Sequence, residues 1–158
     1  MRALWRAGRW LGDPVNRMVA AEVLAAPAYL AMSAEIVERA LHGTLVADAG
    51  GATLHHPRLI GFHDGAASFP WRSQAIWIAR RLAARSGIAP AEADRIARAC
   101  FRPDIHRAAL APLGVDLPGA SEKVEGALAE RTAVASSRGT LFLGPDCFFD
   151  GQTFDPSA

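Results

Sequence analysis

Helical periodicity bounded by proline and glycine, with almost no continuous β-type run, most constrains what this chain can fold into. Between Pro70 and Gly87, Trp71, Ala75, Ile78 and Leu82 recur at i, i+4, i+7 and i+11, one stripe of a helix. Arg80, Arg81 and Arg85 crowd its C-terminal end, where the helix dipole favours cations. A second helix opens at Pro90 with Glu92 and Asp94 in its first turns, and Ala93, Ile96, Ala97, Cys100 and Phe101 form its apolar stripe. Pro103 ends that helix and opens a third, running to about Leu113. Trp71, Ile78, Leu82, Ile96 and Phe101 are the expected core of this region.

The preceding sequence reads the same way. Residues Ala3 to Leu11 form a helix stopped by Gly12. Asp13 can cap the next helix and Pro14 suits its first position; Val15, Val19, Glu22, Val23 and Ala26 follow at helical spacing until Pro27. Ser33 opens a short helix in which Ile36, Ala40 and Leu41 share a face, and Gly43 is placed to stop it in the left-handed conformation. Thr44-Leu45-Val46 and Leu59-Ile60-Gly61-Phe62 are candidate short strands, separated by the turn signals Gly50-Gly51 and His56-Pro57. After Gly114 the chain is mostly connector, with a weak helical run from Lys123 to Glu130. A compact apolar piece follows at Thr140 to Leu143, then Cys147-Phe148-Phe149. A parallel sheet needs several Val/Ile/Leu runs of strand length, and none is present. The chain is therefore an α-rich segment whose stripes need something to pack on.

Composition narrows the function. Of 158 residues, 51% are hydrophobic and 21% charged, so the chain folds around a core. The net charge is +1, and acidic residues lie among the arginines, which argues against nucleic acid or an anionic membrane as the main partner. Met1 to Trp10 carries basic residues but no apolar core segment of a signal peptide, and no 18-residue apolar window spans a membrane. Cys100 and Cys147 form no CxxC, and Cys100 in its apolar stripe reads as a buried, inert thiol. His42, His55, His56 and His63 lack metal-ligand spacing, and Asp146, Asp150 and Asp155 read as turn caps rather than a calcium loop. No nucleophile or phosphate-loop context supports catalysis, so the chain is expected to be no enzyme and to carry no metal or cofactor.

Five segments in order resemble one family. The central one is Phe69-Pro70-Trp71-Arg72-Ser73-Gln74-Ala75-Ile76-Trp77, similar to the aromatic-Pro-x-basic-Ser-x-x-x-Trp segment of the nitrate- and bicarbonate-binding proteins of ABC transporters. Upstream, Trp10-Leu11-Gly12-Asp13-Pro14-Val15-Asn16 resembles that family's turn between helices. Downstream, Phe101-Arg102-Pro103-Asp104-Ile105-His106-Arg107 resembles its Arg-Pro-Asp-[Ile/Leu]-Tyr-Arg helix, Pro118 to Gly126 its Pro…Asp-x-Lys-x-Glu-Gly segment, and Phe149-Asp150-Gly151-Gln152-Thr153-Phe154-Asp155-Pro156 its closing segment. Gln74 replaces a frequent His, Ser121 an acidic residue, and Ser86-Gly87 an Arg-Trp-Gly.

The resemblance implies the α/β, two-lobed type II periplasmic-binding fold, with residues 1–158 forming a single incomplete segment from its C-terminal part. It implies a small inorganic oxyanion as ligand (nitrate, nitrite or bicarbonate) and an ABC permease as partner. A cytosolic relative would instead sense nitrate or nitrite and act on an antiterminator protein. The Leu-Gly-Pro-Asp-x-Phe-Phe ending leans toward that branch, and a non-functional remnant is the third reading. The location is cytoplasmic as the chain stands, and periplasmic if an exported N-terminal part precedes it. Most ligand contacts are expected upstream of Met1. Within the chain, Arg72 and Ser73, in the first turn of the central helix, are the candidates for anion contact, weighed against a purely structural role.

Overall fold

The computed structural model describes residues 1–56 and 59–158. Pro57, half of the His56-Pro57 turn signal, lies outside them, as does Arg58. The described chain divides into two compact units, residues 3–67 and residues 68–158, the latter including Met1 and Arg2.

The first unit contains α1 (Arg2–Gly12) from Ala3 onward, a 3₁₀ turn at Pro14–Asn16, α2 (Arg17–Ala25), α3 (Ala34–Leu41) and the hairpin strands β1 (Thr44–Val46) and β2 (Thr53–His55). Asp13 caps as its position suggests, accepting from the Val15 amide at 3.1 Å. Gly43 takes φ 74°, the left-handed stop after α3. Ala20, Ala21, Val37 and Leu41 form the core, with Leu11, Leu24, Ala25 and Phe62 packed around it. Gly8 lets α1 lie against the Phe62 backbone, because a Cβ there would sit 2.6 Å from the Phe62 carbonyl oxygen.

In the second unit, α4 (Arg72–Ser86) and α5 (Pro90–Cys100) pack against each other, and α6 (Pro103–Leu110) runs into a 3₁₀ turn at Ala111–Leu113. Gly87 and Gly114 stop α4 and the 3₁₀ turn at φ 67° and 66°. β3 (Thr132–Ala133) and β4 (Phe142–Leu143) pair antiparallel, and isolated bridges join Pro118 to Ser136 and Glu125 to Phe154. Arg80 on α4 grips Asp94 on α5 with two hydrogen bonds, at 2.9 and 2.8 Å.

The helices stand where proline and glycine place them, but several face differently from the expected stripes. Trp71 is buried and Phe101 half-buried against the α4–α5 core, as expected; Ile78, Leu82 and Ile96 are exposed, Leu82 by 58%. The buried positions are instead mostly small, Ala75, Ala83, Ala93 and Ala97, with Ile76 the one large side chain among them. α4 carries two overlapping apolar stripes. Close packing selects the alanine-rich one, because small side chains let two helix axes approach. The same happens at α2, where Val19 and Val23, like Val15 in the 3₁₀ turn before it, are exposed while Ala20 and Ala21 are buried, and at α3, where Ile36 is exposed and Val37 buried.

Three further expectations fail. Lys123 to Glu130 is not helical: Glu125 and Phe154 exchange backbone hydrogen bonds at 2.9 Å, and Gly126 turns the chain at φ 81°. Leu59 to Phe62 forms no strand. Cys100 is exposed and, like Cys147, a free thiol. Among the described residues no helix is long and apolar enough to cross a membrane.

Candidate functional site

The first turn of α4 is where the sequence places its candidates. Trp71 enters extended (φ −64°, ψ 122°) as the helix N-cap but provides no side-chain cap. The Arg72 amide donates to the Ser121 carbonyl at 2.9 Å, and its buried side-chain Nε finds no hydrogen-bond partner among the described residues. Ser73 is fully buried. Its hydroxyl donates to Glu125 Oε1 at 2.6 Å and accepts from the Lys123 amide at 3.2 Å. Ser73 thus ties α4 to the segment from Pro118 to Gly126, and its hydroxyl is engaged inside the fold.

Below Ser73 lies a charge cluster that the sequence reading did not assemble. Lys123, the only lysine, donates to Glu125 Oε2 at 2.5 Å and to Asp146 Oδ2, and its ammonium lies 5.8 Å from the Trp71 ring centre. Asp146 also accepts from the Leu128 amide at 2.8 Å. Asp146 is therefore no mere turn cap, although Asp150 and Asp155 are, accepting from the Gln152 and Ser157 amides. One signal was available: in an extended segment Lys123 and Glu125, two apart, point to the same side. The third member, Asp146, comes from a distant loop.

α6 fixes the same segment from the other side. Arg107 donates to the Pro118, Gly119 and Ala120 carbonyls and to Ser121 Oγ, at 2.5–3.1 Å, while its guanidinium lies over Phe69. His106, at the tyrosine position of the segment it resembles, is buried edge-on to Phe69, and its Nδ1 has no hydrogen-bond partner among the described residues. Burial, with the Arg107 charge beside it, pushes the His106 pKa below the ordinary histidine value.

Chemically this is a support rather than a pocket. An oxyanion site needs uncommitted donors that converge. Here the ammonium is neutralised by two carboxylates, the serine hydroxyl is bonded inward, and Arg107 is spent on carbonyls. Of the charged groups around this turn, Arg72 keeps a buried guanidinium Nε without a hydrogen-bond partner among the described residues. The histidines do not gather either. His42 Nδ1 sits 3.0 Å from the Glu38 carbonyl, His55 Nδ1 3.2 Å from Thr44 Oγ1, and His63 lies edge-on to Trp5. No group of three or more metal-type ligands occurs among the described residues.

No family model matches the chain. The nitrate/nitrite binding protein NrtA of Synechococcus elongatus is 26% identical over 160 residues, covering 99% of this chain and 31% of that protein. The crystal structure of the periplasmic nitrate-binding protein NrtA from Synechocystis PCC 6803 superposes with a TM-score of 0.68 at 19% identity, covering 97% of this chain and 36% of that one. The chain thus spans about a third of each relative's length. Both relatives are binding proteins, and the reading as a non-enzyme agrees with that. The helix-rich chain is thus similar in sequence to part of a nitrate/nitrite binding protein and shares the fold of part of a periplasmic nitrate-binding protein.

Proposed function

We propose that the chain is the C-terminal part of a receptor for a small oxyanion (nitrate, nitrite or bicarbonate) that delivers its ligand to an ABC permease on the periplasmic side. The match that runs through 99% of the chain into a nitrate/nitrite binding protein carries this reading. The inward-bonded donors fit it, because a C-terminal part that braces the lobes needs a rigid polar interior more than a pocket of its own. Most ligand donors then come from other parts of the receptor. Arg72, whose buried Nε at the start of α4 has no hydrogen-bond partner among the described residues, is the contact we assign to this part, and the Ser73 bond to Glu125, which holds α4, supports that reading.

Titration calorimetry tests both halves of the reading. One helix end and one guanidinium contribute about 0.3–1 kcal/mol each, whereas even millimolar affinity needs about 4.1 kcal/mol. The 158-residue chain is therefore expected to bind none of the three anions tighter than millimolar. Replacing the matching segment of the Synechococcus elongatus protein with this chain is expected to give a folded receptor that binds nitrate. Stoichiometric micromolar binding by the chain alone would overturn the partial-receptor reading, and a folded chimera without nitrate binding would overturn the receptor reading.

A further inference from the structure

A buried histidine sits on the helix that clamps the Pro118–Ser121 segment. The His106 side chain on α6 belongs to a residue only 4% exposed, stands edge-on to Phe69 at 5.4 Å, and has no hydrogen-bond partner for Nδ1 among the described residues. Arg107, the next residue, uses the same aromatic ring. Its guanidinium lies 5.0 Å from the Phe69 centre while it holds the Pro118, Gly119 and Ala120 carbonyls and Ser121 Oγ. One ring therefore seats both the buried imidazole and the clamp. The clamped segment is tied onward: the Ser121 carbonyl accepts from the Arg72 amide, and the Gly119 amide donates to the Ala135 carbonyl, each at 2.9 Å.

We infer that His106 and Arg107 form an acid-released latch, in which protonation of His106 moves α6 off Phe69 and Arg107, carried with it, lets go of the Pro118–Ser121 segment. An imidazolium bears an N–H on both ring nitrogens, and burying a charged donor without an acceptor is costly. Moving α6 off Phe69 brings Nδ1 to water, and adjacent residues of one helix move together. The surrounding charges push the same way. Burial first, then the Arg107 guanidinium and the Met1 α-ammonium, hold the His106 pKa below the ordinary histidine value. Beyond Phe69, Trp71 carries the Lys123 ammonium, already paired with Glu125 and Asp146, and on α6 itself Asp104 is paired with Arg102. The latch stands on α6 and the segment it holds, whichever anion, if any, the protein carries.

Amide hydrogen exchange of the 158-residue chain, followed by NMR and measured against the intrinsic exchange rate at each pH, is the test. Lowering the pH from about 7.5 to about 5.5 should reduce the protection of the Arg72 and Gly119 amides by up to about tenfold, the limit for one proton taken up only in the open state by a ring of unperturbed pKa about 6.5. Protection of the α5 amides should stay unchanged, because that helix is held by its packing against α4. His106→Leu should abolish the pH dependence at Arg72 and Gly119. In the parent, the carbon-bound proton signals of the His106 ring should shift over the same pH range in which that protection is lost. Unchanged protection in the parent, ring protonation without loss of protection, the same loss in His106→Leu, or a loss spread equally over α5 would each overturn the latch.

Discussion

Replacing Lys123 with methionine tests whether the charge cluster under α4 holds the second unit together. Methionine keeps most of the stem that lies against Trp71 but removes the ammonium, leaving Glu125 and Asp146 as two carboxylates with no cation between them. Glu125 is almost wholly buried and Asp146 about a quarter exposed at its side chain. Breaking a buried ion pair by removing one partner costs about 3–5 kcal/mol, and the solvent that reaches Asp146 argues for the lower end, about 3 kcal/mol. For a chain of this length each kcal/mol moves the melting temperature by about 2–4 °C, so the variant should melt about 6–12 °C lower. Near-ultraviolet circular dichroism, which reports the packing of the aromatic side chains, Trp71 among them, is the assay. Adding Glu125→Gln, which keeps an acceptor for the Ser73 hydroxyl, should restore part of the loss, because the penalty is the stranded carboxylate. A Lys123→Met variant melting within about 2 °C of the parent would refute the reasoning, as would a double variant whose loss equals the sum of the two single losses.

Two further expectations concern the same region. His106 has its pKa depressed by burial, so the folded state binds fewer protons than the unfolded chain at the same pH. Stability must then fall as pH drops through the unfolded histidine value of about 6.5 toward the folded one. His106→Leu, which also removes the unpartnered Nδ1, should flatten that part of the stability–pH curve, and parallel curves for parent and variant would count against it. Gly126 sits at φ 81°, where a Cβ would lie 2.7 Å from the Gln152 carbonyl oxygen and 2.9 Å from the Phe148 ring. Gly126→Ala should therefore cost more than the about 1–2 kcal/mol of a left-handed alanine alone, and an unchanged urea midpoint would show that this turn relaxes freely.

Element boundaries were legible because their signals are local. Asp13-Pro14, Pro90 and Pro103 start helices, and Gly43, Gly87 and Gly114 stop them, each for a backbone reason confined to a residue or two. Which face of a helix is buried depends on the neighbour. Ile78 and Leu82 lie on a stripe as regular as that of Ala75, Ile76 and Ala83, and only the alanines at 93 and 97 on α5 decide between them. The site shows the same division. Arg72 and Ser73 could be placed at a helix start from sequence, but a role for Ser73 required Glu125, 52 residues away, and the state of Glu125 required Lys123 and Asp146. Lone polar residues near a helix start therefore leave two readings open, anion site and buried brace. What separates them is whether their hydrogen-bonding capacity is already used. Ser73 gives its proton to a buried carboxylate and takes one from a backbone amide, so an anion could gain this hydroxyl only by leaving buried Glu125 Oε1 without its donor. That cost of about 1–3 kcal/mol would exceed what one exposed donor returns, which is the argument for Ser73 as brace.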